Sequence, residues 1–536
     1  MADEKNMQDY KELIEKAQKE YASKNYEEAI KIYKLIQVMY GETLDSVKKG
    51  SLYIYLANAY YALNNIDKYA YYYEEYLKLY PSGQASVFSR LAHAYYLINL
   101  DKSIDYHNKS LDMEVSKYDI ACKLFAMTKS SSYDQMDVKD ASELEVANLK
   151  NSIFKDIKKY DWSEKKKLPV DKKLNIGYLS SDCYAHTMMN YIVPLWQKHD
   201  KENFNFFIFN CSDKNDGVTK EIKETGIEII DCVKLNEEQL AKAIKEKDID
   251  ILIELGGYTH LRCFVALYKP APIIMSYLGY LNTLGMKEVD YIIADEYSIP
   301  QENAYLYTEQ PLYLDTGYQI FSEKKLPDLT DCPFKENGYI TYGSFNCTSK
   351  FSDVNLYLWA QILKRNENSK LLIYRTSLTI RIMKVIRAKF EKLGIPEDRI
   401  IFSSKVYSPH FHAYLLCDIA LDTYPFSGMS IAIETALMGV PTISLEGDAI
   451  QSRGAGRINS VLGNEDFNAI NGEEYIQKAV SLANEKERLE DLRKNYREKV
   501  YNSKLSIGAE EFARDLEDKY KKAWKSFVTD VDIRAL

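Results

Sequence analysis

The chain has 536 residues, 46% of them hydrophobic and 28% charged, with a formal net charge of −9. That length accommodates about three folded units with their own cores, and the acidic balance lacks the basic footprint of a nucleic-acid binder. Eight cysteines lie scattered without a CxxC pair, which argues against a zinc site or a disulfide framework and for a reduced, cytoplasmic setting. The opening MADEKNMQDYKEL lacks the apolar centre of a signal peptide, and no apolar run reaches the ~18 residues a membrane helix needs.

Residues 1–130 read as helical repeats. The clearest copy is LANAYYALNNIDKYAYYYEEYLKLYP, with Ala57 and Tyr60 on one face of a first helix, Tyr73 on the second and Pro81 ending it. An earlier copy carries Ala17, Ala29 and Tyr33, and a later one Ala92 and Tyr95. The spacing is that of tetratricopeptide repeats, whose small residues let paired helices approach while aromatics fill the gap beside them. Asn64, Asn65 and Asn99 fall at the expected turns. Many of the 45 tyrosines belong to this region. Unrelated amphipathic hairpins are the alternative. The charged helical stretch 116–160 reads as a cap or connector, with the connector proper at 131–172.

From Leu174 short apolar runs alternate with helical stretches. LNIGYL, FNFFIFN, IEIID, IDILIEL, PIIMSYLG and VDYIIAD form one strand series. YITYGSF, KLLIYR, RIIFSS, DIALD and PTISL form a second after Pro327. Such alternation predicts two α/β, doubly wound, Rossmann-like domains at 173–325 and 326–480. Helices from about Glu473 onward close the chain, with 481–536 as a C-terminal helical segment.

Ligands in doubly wound domains sit at the carboxyl ends of strands. That rule selects five loops: Ser180 to His186, Gly256 to His260, Leu278 to Tyr280, Phe345–Asn346 with Lys350, and Asp422 to Ser430 with Glu434 in the helix beyond. The last runs from strand through a Pro/Ser/Gly turn into a helix start, whose backbone N–H groups and dipole suit a diphosphate. Taken alone it also reads as a plain turn, as Lys350 alone reads as a solvated lysine. His186 and His260 are two of only seven histidines, and each is equally readable as structural.

Together these stretches resemble the protein O-linked N-acetylglucosamine transferase family. The resemblance rests on LNIGYLSSDCYAH, KPAPIIMSYLGYLNTLG (269–285), FNCTSKFSD (345–353), LYLWAQILKRNENSKLLIYR (356–375) and the run from RIIFSS to LDTYPFSG (399–428), in that order. It implies a GT-B catalytic region with two facing Rossmann-like domains behind an all-α tetratricopeptide domain. It also implies that His186 is the active-site histidine and that Leu278 and Gly279 line the donor-sugar pocket. Lys350 would stabilise the leaving diphosphate beside Asn346, and His410 would stack near uracil. Ser430 would hold phosphate, with Gly428 and Met429 beside it in the donor site, Glu434 would take the ribose, and Ser452-Arg453 match the family's Ser-Arg pair. Ile431 stands where the family usually carries a hydroxyl residue.

The implied activity is inverting transfer from a UDP-sugar, N-acetylglucosamine, to Ser or Thr of a protein held by the repeats, with flagellin as the acceptor that bacterial relatives of this layout suggest. Neither cofactor nor metal is expected. Asp248 and Asp250 form a DxD triplet, but at the entry of a strand, the wrong end for a ligand. His186, Asp182 or a water chain remain open as the base. An asparagine N-glucosyltransferase of the adhesin type and a repeat scaffold with an inactive transferase half are the alternatives.

Overall fold

The computed structural model describes residues 2–322 and 325–536. The chain divides into two compact units, Met1–Ala126 and Met127–Leu536.

The first unit is all helical. Three antiparallel pairs follow one another: α1 (Ala2–Ala22) with α2 (Tyr26–Tyr40), α3 (Ser46–Ala62) with α4 (Ile66–Leu79), and α5 (Ala85–Tyr95) with α6 (Leu100–Leu111). The sequence explains the turns. Asn64 takes the left-handed conformation, at φ +56°, which Asn tolerates better than most residues. Asn65 and Asn99 then cap α4 and α6, their side chains accepting from the Lys68 and Lys102 amides at 3.1 and 3.0 Å. Ala17, Ala29, Ala57 and Ala92 are fully buried where helices approach. The tyrosines fill the space left beside them: Tyr60 stacks on Tyr72 at 5.7 Å, and Tyr33 on Tyr55 at 5.6 Å. Rings that bury large area with a polar tip at the rim suit a narrow helical stack.

The second unit holds two all-parallel sheets. The first contains β1 (Leu174–Ser180), β2 (Phe204–Asn210), β3 (Glu228–Asp231), β4 (Ile251–Glu254), β5 (Ile273–Ser276), β6 (Tyr291–Ala294) and β7 (Gln310–Tyr313), in the order β3-β2-β1-β4-β5-β6-β7. The second contains β8 (Ile340–Ser344), β9 (Ser369–Tyr374), β10 (Ile400–Ser403), β11 (Ile419–Leu421), β12 (Thr442–Leu445) and β13 (Asn468–Ala469), in the order β10-β9-β8-β11-β12-β13. Central strands such as β4 and β5 are buried at every residue, as expected of parallel sheets covered by helices on both faces. The edge strands β7 and β13 are absent from the sequence expectation. Both are short, and their residues lack the β-branched run that marks the others.

The segment expected as C-terminal helices divides its packing. Lys486–Tyr501 lies on the second sheet domain, where Arg493 Nη2 donates to the Cys417 carbonyl at 2.5 Å. Ala509–Thr529 returns to the first: Glu517 meets His199 Nδ1 at 2.9 Å, and Tyr520 bonds Tyr178 at 3.0 Å. The C-terminal segment therefore packs first on one half of the unit and then on the other.

Candidate active site

In each sheet the chain leaves its first strand one way and later returns on the other side of it. This creates a topological switch point between β1 and β4, and another between β8 and β11. Loops part at such points and leave a crevice. Four of the five loops selected from the sequence follow these four strands, and the loop from Leu278 follows β5 beside them.

The loop after β11 is organised by one buried carboxylate. Asp422 accepts from the Gly428 amide at 2.8 Å, Ser427 Oγ at 2.5 Å, Ser444 Oγ at 3.2 Å and Asn346 Nδ2 at 3.4 Å. Burial pushes its pKa up. These bonds fold Phe426-Ser427-Gly428 tightly against the start of the helix Met429–Leu437. A Cβ at 428 would lie 2.5 Å from Asn346 Oδ1, so any larger residue must displace that side chain. Lys350, from the loop after β8, joins the same turn. Its ammonium donates to the Ser427 carbonyl at 2.9 Å and sits 4.5 Å over the Phe426 ring. Burial lowers its pKa to about 8, with Asp422 opposing the shift. Asn355 fixes both loops, its side chain donating to the Lys350 carbonyl at 2.9 Å and the Tyr424 carbonyl at 2.8 Å. Lys350, Asn346 and Gly428 thus form one cradle, although 77 residues separate Lys350 from Ser427.

Further along, Glu434 accepts from Tyr414 Oη at 2.5 Å and faces His410 Nε2 at 3.2 Å. His410 remains largely exposed beside them. Met429 is buried, and Ile431 packs against the apolar cluster of Phe345 and Tyr414. Ser430 pairs with Tyr191 Oη of the first sheet domain at 2.5 Å. Ser452 and Arg453 are brought to the interface of the sheet domains rather than to the cradle. Ser452 Oγ donates to Ala449, and Arg453 Nε donates to the Tyr297 carbonyl at 2.6 Å.

Across the crevice, the first sheet contributes titratable groups. Asp182, buried, lies 2.9 Å from His260 Nε2 and 3.7 Å from His186 Nδ1. The Asp182 hydrogen bond raises the His260 pKa, whereas burial lowers that of His186. His186 is accordingly the more readily neutral of the two. Its ring stays partly open to solvent. Glu254, at the end of β4, accepts from the Gly256 and Gly257 amides at 3.0 and 2.6 Å, and burial raises its pKa to about 7. Leu278 is held at φ +69°, a conformation that costs a branched residue roughly 1–3 kcal/mol. Gly279 follows because a Cβ would meet the Leu255 carbonyl oxygen at 1.9 Å.

Sequence reasoning named both histidines without joining them, and it missed Glu254 and Tyr191. Glu254 carried a readable signal as the one carboxylate closing an apolar run before a Gly-Gly turn. Tyr191 carried none, since its role depends on the approach of the other domain. The Asp248/Asp250 triplet lies at the amino end of β4. Asp250 is buried in ion pairs with Lys165 at 2.7 Å and Lys172 at 2.8 Å. Among the described residues no group of three or more His, Cys, Asp and Glu side chains could hold a metal ion.

The family model described as Glycosyl transferase family 41 matches residues 142–331 and 333–516. The chain is similar to the probable UDP-N-acetylglucosamine--peptide N-acetylglucosaminyltransferase SPINDLY of Solanum lycopersicum, 28% identical over 380 residues, which are 68% of this chain and 40% of that protein. Its counterpart from Eustoma exaltatum subsp. russellianum is 30% identical over 367 residues, 67% of this chain and 39% of the relative. The chain therefore spans about 40% of the length of the curated relatives it matches. Among solved structures, a mutant of the Thermobaculum terrenum O-GlcNAc transferase aligns with a TM-score of 0.80 at 21% identity, covering 97% of this chain and 98% of that one. That likeness is one of fold.

Proposed function

The chain belongs to glycosyl transferase family 41, and from that premise we propose that it transfers N-acetylglucosamine from a UDP-sugar to a Ser or Thr hydroxyl of an acceptor protein. The observation that carries this reading is the cradle itself. A lysine, a helix start and a rigid glycine turn converge at the carboxyl ends of β8 and β11.

Transfer forms a bond between the acceptor oxygen and the anomeric carbon and breaks the bond from that carbon to the β-phosphate oxygen. The electron pair leaves with UDP, and the acceptor proton must go to a base. Charge that develops on the departing diphosphate is best met by fixed donors that need no reorganisation. In this reading Lys350 and the amides opening the helix Met429–Leu437 supply them. Glu434 and His410 take the ribose and uracil, Met429 and Ser430 flank the phosphates, and Leu278 and Gly279 bound the sugar. His186, held near Asp182 and readily neutral, accepts the proton. Attack from the His186 side with departure toward Lys350 inverts the anomeric carbon. The reaction uses no metal, because Lys350 and the dipole occupy the role a cation would play. The helical repeats hold the acceptor, with flagellin a candidate.

The test is Lys350→Ala assayed by intact mass of acceptor proteins incubated with UDP-N-acetylglucosamine and UDP-glucose. We expect wild type to add one N-acetylhexosamine to Ser or Thr and the variant to lose at least ~10²-fold in turnover, the scale of removing one transition-state donor. Wild-type-like turnover in a folded Lys350→Ala protein would falsify the assignment. Addition of a hexose to Asn would replace it with the N-glucosyl reading. Absence of both transfer and UDP binding in wild type would favour the inactive scaffold.

A further inference from the structure

The eight cysteines are free thiols, and two of them meet at the carboxyl edge of the first sheet. β2 and β3 pair in parallel as far as Asn210 and Asp231. Cys211 and Cys232 are the next residues on each strand, and the ladder reaches both. The Cys211 amide donates to the Ser180 carbonyl and the Cys232 amide to the Asn210 carbonyl, each at 2.8 Å. In-register residues of parallel neighbours project to the same face, on strands about 4.8 Å apart. A disulfide spans Cα separations of about 4.4–6.8 Å, so the sheet spacing itself presents the two side chains within bridging range.

Local hydrogen bonds hold the pair in place. Asn210 Oδ1 accepts from the Ser212 amide at 3.0 Å, and Asp231 Oδ1 from the Val233 amide at 3.1 Å. Each cysteine is therefore the middle residue of a turn closed by a side chain. Arg262 clamps the second turn, donating to the Leu235 carbonyl at 2.5 Å and the Val233 carbonyl at 2.9 Å.

The two thiols are unequal. Cys211 is partly exposed, whereas Cys232 is fully buried. A hydrogen bond from the Cys232 thiol, helped by the Arg262 charge, holds the Cys211 pKa below its ordinary value against the effect of burial. The same pairing, together with burial, pushes Cys232 up. One sulfur is thus accessible and the more readily ionised, while the other stays protonated beside it, as an attacking and a resolving cysteine require.

We propose that Cys211 and Cys232 form a modification site for hydrogen peroxide, closing reversibly to a disulfide. The Cys211 thiolate attacks the peroxide, forming an S–O bond as the O–O bond breaks; the departing hydroxide takes a proton and leaves as water. The Cys232 sulfur then displaces the hydroxyl, forming the S–S bond as the S–O bond breaks, and its own proton leaves with that hydroxyl as a second water. Two thiols are oxidised and one peroxide is reduced. The Cys211 turn leads on to Asp216, whose carboxylate accepts from the Ala185 amide at 2.7 Å, one residue before His186. The bridge therefore forms on a loop that touches the candidate active site, although its formation does not depend on the transfer reaction.

The test is hydrogen peroxide treatment of the native full chain, then blocking of free thiols and peptide mapping by mass spectrometry. A disulfide joining the Cys211 and Cys232 peptides is expected, and dithiothreitol is expected to open it. Cys232→Ser should stop the reaction at a Cys211 sulfenic acid, captured by dimedone, and Cys211→Ser should leave Cys232 unmodified. The wild-type map needs neither variant, so it decides the matter if a serine variant fails to fold. Oxidation confined to Cys122 or Cys347, the other partly exposed thiols, a bridge formed only after denaturation, or a Cys211 that dimedone does not label in folded Cys232→Ser overturns the proposal.

Discussion

Gly428→Ala isolates the geometry of the cradle from its charge. Gly428 has φ −100°, so alanine incurs no backbone strain there, and the whole effect must come from contact. The added Cβ would meet three Asn346 side-chain atoms at 2.5, 2.8 and 3.0 Å. Asn346 has little room to yield, because its amide lies 3.4 Å from both Asp422 Oδ1 and Lys350 Nζ. Overpacking of this kind costs about 1–3 kcal/mol, and displacing a catalytic group by about 1 Å costs about 10²-fold in rate. We expect Gly428→Ala to lower Tm by a few degrees and kcat/KM for the UDP-sugar by about two orders of magnitude. Asn346→Ala in the same chain removes the clash, so the double variant should recover the Tm lost by the single one, a coupling that a double-mutant cycle measures directly. Full activity of Gly428→Ala, or a double variant no more stable than the sum of the singles, would refute the reasoning.

Three further outcomes follow from the electrostatics. Lys350, lowered to about 8 by burial, carries its charge below that pH and loses it above; UDP affinity is therefore expected to fall as pH rises through about 8, and Lys350→Arg should remove the fall. An affinity flat across that range in wild type excludes the role. The Asp182 charge raises the pKa of both His186 and His260, so Asp182→Asn should shift the acid limb of kcat to lower pH while reducing its plateau about 10²-fold; an unmoved limb removes His186 as base. Asp250→Asn leaves Lys165 and Lys172 facing no carboxylate at that position, which is expected to cost about 3–5 kcal/mol of stability, whereas chelation by EDTA should leave turnover intact. Loss of turnover with EDTA would restore metal to the mechanism.

What could be read without coordinates depended on how local each signal was. The strands of both sheets announce themselves because a parallel strand buried on both faces is an unbroken apolar run, as in IDILIEL. The repeat turns were readable because Asn64, Asn65 and Asn99 act on their own backbone. By contrast β13 has two residues and exists only because β12 offers it a partner. The cradle lies between these limits. Lys350 and Gly428 each looked ordinary alone, and their meaning came from the order of motifs along the chain. Asp422 was legible as the end of DIALD, yet its four-way hydrogen bonding depends on Ser444 and Asn346 arriving from other strands.

Ser430 shows how the two sheet domains depend on each other. In the resemblance its hydroxyl holds phosphate, yet in the structure it is bonded to Tyr191. The two roles are compatible in one arrangement. Burial pushes the Tyr191 hydroxyl well above its ordinary pKa, so it keeps its proton and can donate. A serine oxygen that accepts from tyrosine still has its own proton to give, and that proton then points away from Tyr191 toward whatever lies at the helix start. With Tyr191 donating, Ser430 is left oriented as a donor. In the proposed reaction the first sheet domain thereby helps set the phosphate-binding geometry of the second, while the second brings the leaving group opposite His186. In that reading neither half holds a complete site, and the C-terminal segment links the two, Lys486–Tyr501 packing on the second domain and Ala509–Thr529 on the first.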